Sequence, residues 1–168
     1  ADYLEQFAAQ LESRGVIVHW ARTADDFNNT VLEILKQHGV NKMVKSKSML
    51  TEECGMNPFL EQNGIDVVET DLGERILQLL HQKPSHIVMP AIHLKREEVG
   101  RMFEEKGISK QIGNYDPTYL TRCARMHLRN QFMEAGAGMT GCNFGVAESG
   151  DIVVCTNEGN ADMSTSMP

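Results

Sequence analysis

Basic charge is scarce in this chain. Lys and Arg number 16 against 23 Asp and Glu, a formal net charge of −7 over 168 residues. Nucleic-acid binders usually carry a basic face, so that class is set aside, although a local Lys cluster can still hold an anion. No stretch reaches the roughly 18 apolar residues that span a bilayer, so no transmembrane segment is expected. The opening residues, Ala1 to Glu5, lack the basic region and apolar run of a secretory signal. The expected location is cytoplasmic.

Cysteine is sparse too. Cys54, Cys123, Cys142 and Cys155 form no C-x-x-C pair, which excludes a zinc ribbon or a ferredoxin-type cluster within this segment. Without a secretory signal no disulfide framework is expected either. The six histidines form no H-x-H or H-E-x-x-H pattern, so no metal site is expected. A G-x-S-x-G nucleophile elbow and a P-loop are both missing. Methionine is plentiful at 10 residues, read here as gap-filling core.

What is present is an alternation of periods. Leu4, Phe7, Ala8 and Leu11 share one helical face, and Val16 to Trp20 reads as a strand. Thr23 caps a helix carrying Phe27, Val31, Ile34 and Leu35. Lys42 to Lys45 is a strand, followed by a helix through Leu60. Ile65 to Glu69 is a strand, and Ile76, Leu77, Leu79 and Leu80 lie on a helix. His86 to Met89 reads as a further strand. Helices follow over Glu97 to Lys106 and from Asp116-Pro117 through Phe132. Met139 to Ala147 and Ile152 to Cys155 then form short strands joined at Ser149-Gly150, a hairpin signal. The expectation is an α/β fold: a three-layer sandwich with a largely parallel sheet and an antiparallel hairpin near the C-terminal edge.

In such sheets the loops at the carboxyl ends of strands build the ligand crevice. Lys45-Ser46-Lys47-Ser48 leaves a strand and enters a helix, offering cationic and hydroxyl donors to an anion; a solvated turn with a Ser cap is the plainer reading, and the two are compatible. Glu69, Asp71 and Glu74 follow the next strand, either as ordinary helix-start acids or facing those lysines. His93 follows the expected strand at 86–89, as a structural His or a hydrogen-bonding and acid–base group. Glu148 and Asp151 flank the hairpin turn and would lie directly opposite in a two-residue loop, an unfavourable pairing that solvent or a ligand would relieve. Asn143 opens the hairpin. Thr156, Asn157, Glu158 and Asn160 crowd polar groups around Gly159. Gly136, Gly138 and Gly141 match G-x-G-x-x-G, but after a helix and before a strand. That is the reverse of the dinucleotide order, so they are read as a helix-to-strand connection.

Five blocks resemble the lactate-utilisation (LUD) domain family: Val44 to Glu53, Glu69 to Glu74, His86 to His93, Asn143 to Gly150 and Thr156 to Asp162. They span essentially the whole chain in order. The resemblance implies a NagB/RpiA/CoA-transferase-like fold and a single domain over residues 1–168, cut from a longer iron–sulfur protein. It also implies a parent subunit of a complex that oxidises L-lactate to pyruvate. Two 4Fe–4S clusters are expected in the parent's C-terminal part, with no cofactor in this segment and the complex's other subunits as partners. Substrate contacts are expected among Lys45, Lys47, Ser48, Glu69, Asp71, Asn143, Thr156, Asn157 and Asn160, and catalytic candidates are His93, Glu148 and Glu158. Two other roles stay open: a CoA-transferase-like acyl- or phosphate-ester enzyme with a Glu nucleophile, and a domain that docks partner subunits.

Overall fold

A computed structural model describes residues 2–156 and 158–168. Its centre is a parallel sheet of β1 (Lys42–Lys45), β2 (Asp66–Glu69) and β3 (Ala137–Met139), in the order β2-β1-β3. Around it run α1 (Asp2–Ser13), α2 (Ala24–Gln37), α3 (Met49–Glu53), α4 (Met56–Gln62), α5 (Leu72–Leu80), α6 (Arg96–Glu105), α7 (Pro117–Glu134) and α8 (Asn160–Ser166). An antiparallel hairpin of β4 (Phe144–Val146) and β5 (Asp151–Val153) stands apart from the sheet.

Side-chain alternation along the strands divides the core. Met43 and Val67 face Leu32 and Leu35 of α2 and Met56 and Leu60 of α4. Val44 and Val68 face the other way, onto Phe132 of α7 and Met163 of α8. Both faces are thus covered, although each strand carries only an apolar pair, Met43-Val44 or Val67-Val68, between charged ends. A satellite cluster joins Ile76 of α5, Met102 and Phe103 of α6, and Leu120 and Ala124 of α7. Helix starts follow their sequence signals. Thr23 and Asp26 form a capping box on α2, and Asp116 caps α7 with Pro117 in its first turn.

The same alternation sends the last residues of β1 and β2, Lys45 and Glu69, into the apolar layer beneath α2 and α4. They are direct register partners. Lys45 is fully buried, and its Nζ lies 2.8 Å from Glu69 Oε1 and donates to Thr51 Oγ1 at 3.0 Å. Asn57 Nδ2 donates to the same carboxylate at 2.6 Å. Burial nonetheless pushes the Glu69 carboxyl above its usual range, against the pull of Lys45 and Asn57. Its other oxygen has no hydrogen-bond donor. Beyond the pair, Thr70 returns its N–H and hydroxyl to the Lys45 carbonyl, each at 2.9 Å.

Two expected strands are not formed. Residues 86–89 stay outside the sheet, with Ile87, Val88 and Met89 exposed. The outer edge of β2 is occupied by a side chain: Gln78 donates to the Val67 carbonyl at 2.5 Å and accepts from the Glu69 N–H at 3.1 Å. Unpaired edges need such covers, and this one leaves no ladder for a fourth strand. His86 Nδ1 meanwhile accepts from the N–H groups of Val88 and Met89, both at 3.1 Å, and curls the segment. Residues 16–20 also form no strand, Ile17 being 77% exposed. An apolar run becomes a strand only where a neighbour offers its backbone, and here none does among the described residues.

The hairpin turn also differs from a two-residue loop. Val146 pairs with Asp151, leaving Ala147 to Gly150 in the turn, so Glu148 does not oppose Asp151. Asp151 accepts from Ser149 at 2.6 Å and Arg14 at 3.1 Å, which together hold its carboxyl below its usual range. Helix α1 lies against the hairpin: a Cβ on Gly145 would stand 2.8 Å from the Phe7 ring. Of the glycines in the G-x-G-x-x-G match only Gly136 joins α7 to β3; Gly138 lies within β3 and Gly141 in the loop after it. Gly138 is required by packing, since a Cβ there would sit 1.6 Å from the Ser164 carbonyl of α8.

Gly138→Ala is therefore expected to displace α8 and cost about 1–3 kcal/mol of stability, measured by urea unfolding. Lys45→Met leaves Glu69 buried without its partner and is expected to cost about 3–5 kcal/mol. The double variant Lys45→Met/Glu69→Leu should recover most of that loss in the same measurement. A double variant no more stable than the single would mean that the pair's charges, and not merely its volume, hold the sheet.

Candidate functional site

Strand β1 is central, and its neighbours are reached by connections leaving to opposite sides. The loops after β1, β2 and β3 therefore emerge together at the carboxyl edge, where α/β folds place ligands. They wall a cavity of about 810 Å³. Ser46, Lys47 and Ser48 come from the loop after β1, and Asp71 from the loop after β2. Thr140, Cys142 and Asn143 follow β3, Cys155, Thr156 and Glu158 come from the segment between β5 and α8, and Asn160 opens α8. Phe27, Met49, Leu50 and Met139 supply apolar wall.

The first loop is pinned from beneath. Ser46 is buried, its N–H bonds the Met139 carbonyl at 2.9 Å, and its hydroxyl donates to Thr140 Oγ1 at 2.8 Å. These bonds continue the β1–β3 ladder one step past the strands. Ser48 takes the N-cap position of α3 without a side-chain cap bond, so its hydroxyl is not committed to the helix. Its carbonyl accepts from Thr51 at 2.7 Å.

Among the described lining residues Lys47 is the only basic one, against the acids Asp71 and Glu158. Lys47 Nζ donates to the Ile87 carbonyl and lies 3.1 Å from Glu74 Oε1, whose side chain is buried. Asp71 caps α5, accepting from the Glu74 N–H at 3.0 Å. Burial and the facing Asp71 push the Glu158 carboxyl above its usual range, with Lys47 opposing. Burial and the nearby Glu74 push Glu52 up as well. The cavity thus sets one positive group against Asp71 and Glu158, and burial and Asp71 disfavour ionisation of Glu158. A small monoanion fits this balance. A ligand with several phosphate charges would meet more repulsion than attraction.

The structure brings together Lys47, Ser48, Asp71, Asn143, Thr156, Glu158 and Asn160 from the sequence-derived set. Asn143 serves the wall itself, its Oδ1 accepting from the Cys155 N–H at 2.7 Å. Asn160 opens α8, a helix the sequence reading missed. Lys45 and Glu69 lie in the core beneath, joined to each other and absent from the cavity lining. His93 is exposed outside the cavity, hydrogen-bonded to Ser85 at 2.7 Å and Gln82 at 3.1 Å. Glu148 is exposed in the hairpin turn, also outside the cavity. Asn157 lies outside the described residues. Thr140, Cys142 and Cys155 were not foreseen as lining residues. The signal for Thr140 was its place directly after a strand entering the same edge.

The four cysteines were also tested against an iron–sulfur cluster, which takes four thiolates. Cys54 and Cys123 are half-buried on other elements, and only Cys142 and Cys155 share the cavity. No group of three or more His, Cys, Asp or Glu suited to a metal ion occurs among the described residues. These residues do not fit a cluster. No helix among them is long and apolar enough to cross a membrane.

Comparison with known proteins places this geometry in a family. The chain is 48% identical over 167 residues to lactate utilization protein B of Oceanobacillus iheyensis, covering 99% of this chain and 34% of that protein. It is 49% identical to lactate utilization protein B of Geobacillus thermodenitrificans and 46% identical to that of Macrococcus caseolyticus, covering 99% of this chain and 35% of each protein. The chain therefore spans about a third of the length of these relatives. No solved structure matches it. Residues 4–168 match the LUD domain, and the chain belongs to the LUD domain family.

Proposed function

We propose that this domain serves lactate utilisation as a binding module for a small hydroxy or keto acid, within a larger iron–sulfur protein of an L-lactate-oxidising complex. One observation carries the reading: the loops after all three parallel strands converge on a single cavity whose only described basic group is Lys47, set among the hydroxyls of Ser48, Thr140 and Thr156. A charge-assisted bond from Lys47 would take the ligand carboxylate. The neighbouring hydroxyls would take its hydroxyl or carbonyl oxygen. Burial and Asp71 raise the Glu158 carboxyl above its usual range, which lessens its repulsion of the ligand carboxylate. The domain's part is to bind and orient. The electron-carrying clusters belong to other parts of the parent, and its partner subunits complete the oxidation.

The CoA-transferase-like alternative has less support. Glu148 lies away from the cavity, and the upward shift of the Glu158 carboxyl disfavours the ionised form a nucleophile needs. A docking role rests on the exposed apolar residues of the hairpin, Phe144 and Ile152 among them.

Calorimetric titration of the domain with L-lactate, pyruvate and CoA separates these readings. Saturable binding of lactate or pyruvate is expected, weakened at least about tenfold by Lys47→Ala, the scale of one lost charge-assisted bond. Binding of CoA in their place would favour the ester enzyme. A folded sample that binds none of the three would leave docking.

A further inference from the structure

Cys142 and Cys155 form no C-x-x-C pair, and the sequence gives no expectation of a disulfide framework. In the fold they line the same cavity, and both are exposed. Cys142 leaves β3 toward β4, and Cys155 follows β5, so they stand on the two segments that continue the hairpin stem beyond its last ladder pair, Phe144 with Val153. Two bonds tie those segments across. The Asn143 N–H bonds the Val153 carbonyl at 3.0 Å, and the Cys155 N–H bonds Asn143 Oδ1 at 2.7 Å. The Cys142 thiol donates to the Phe144 carbonyl at 3.0 Å and lies 4.0 Å from the Val153 carbonyl of the facing segment. It therefore points along the stem toward the strand that carries Cys155.

We propose that Cys142 and Cys155 form a redox-active dithiol that closes to a disulfide across the cavity wall. The paired ladder ends at Phe144 and Val153, and the two bonds beyond it hold the segments bearing Cys142 and Cys155 side by side. A disulfide needs their Cα atoms to come within roughly 4.4–6.8 Å. Both segments are short and irregular, so they can adjust to the required torsion without disturbing the sheet. The oxidant is a small-molecule disulfide such as oxidised glutathione. One thiolate attacks it, forming a mixed disulfide and releasing one reduced glutathione. The second thiolate attacks the protein sulfur and releases another. Two electrons and two protons pass from the protein dithiol to the glutathione disulfide. The new bond ties the loop after β3 to the segment entering α8, the two walls that carry Thr140, Asn143 and Thr156. The proposal is independent of which ligand fills the cavity, since it concerns the wall and not the occupant.

Incubation of the folded chain with oxidised glutathione, alkylation with iodoacetamide and peptide mass spectrometry tests it. The expected product is a Cys142–Cys155 cross-linked peptide lighter by two hydrogens, with Cys54 and Cys123 alkylated. The thermal midpoint should rise on oxidation and fall back with reductant. Cys142→Ser should stop the sequence at a stable glutathione adduct on Cys155 with no rise in midpoint, and Cys155→Ser should do the converse. Glutathione adducts on the unaltered chain without the cross-link would overturn the proposal. So would a cross-link found only between molecules or only after denaturation.

Discussion

The ion pair of Lys45 and Glu69 fixes the end of the sheet on which everything functional stands. It occupies the last shared register position of β1 and β2 and lies in the apolar layer under α2 and α4. Two charges at that depth are tolerable only because each meets a partner and a further hydrogen bond, the ammonium donating to Thr51 and the carboxylate accepting from Asn57. Removing either partner leaves an uncompensated buried charge. A one-residue slip between the strands would do the same, while also turning Met43, Val44, Val67 and Val68 to the wrong faces. The pair thereby specifies register, at some cost in stability. The next residues along, Ser46 and Thr70, leave the sheet with their backbone donors already bonded.

That register determines the cavity. Lys47 is two residues past the pair on β1, and Asp71 is two residues past it on β2. The carboxyl edge thus presents a cation and an acid on adjacent loops, with α8 and the segment before it supplying Glu158 from across the opening. The charge balance is nearly closed within the protein, because Glu74 approaches Lys47 from its buried side. Such a site has little charge to spare for a polyanion. It can exchange one internal partner for one ligand carboxylate, a modest net gain that favours reversible binding.

Much of this was legible in the sequence, for identifiable reasons. Strands β1 and β2 read correctly because a short apolar pair, Met43-Val44 or Val67-Val68, follows a helix-ending glycine, Gly39 or Gly64. The starts of α2, α5 and α7 read correctly because Thr23, Asp71 and Asp116 cap them through local bonds. Residues 86–89 looked the same as β2 in composition. They failed to pair because Gln78, a distant residue by helix geometry, covers the edge they needed. Lys45 and Glu69 resembled loop-edge ligands in sequence, and only the pleat shows that both point inward. His93 was placed at the end of a strand that does not form and Glu148 beside a hairpin turn, and both lie outside the cavity. Helix α8 was hidden by its polar sequence: its buried residues are Ala161 and Ser164, too small to make an apolar stripe. Gly138 gave the one clue, a glycine in a strand marking close approach of another backbone.

The central claim is that a small acid binds where the three strand-end loops meet. Backbone amide NMR of the isotopically labelled domain, titrated with L-lactate and with pyruvate, tests it most directly. The account predicts shifts concentrated in Ser46 to Ser48, Thr140 to Asn143 and Thr156 to Ala161, and abolished by Lys47→Ala. Shifts centred on His93 or on the hairpin turn at Glu148, with those loops unmoved, would contradict it.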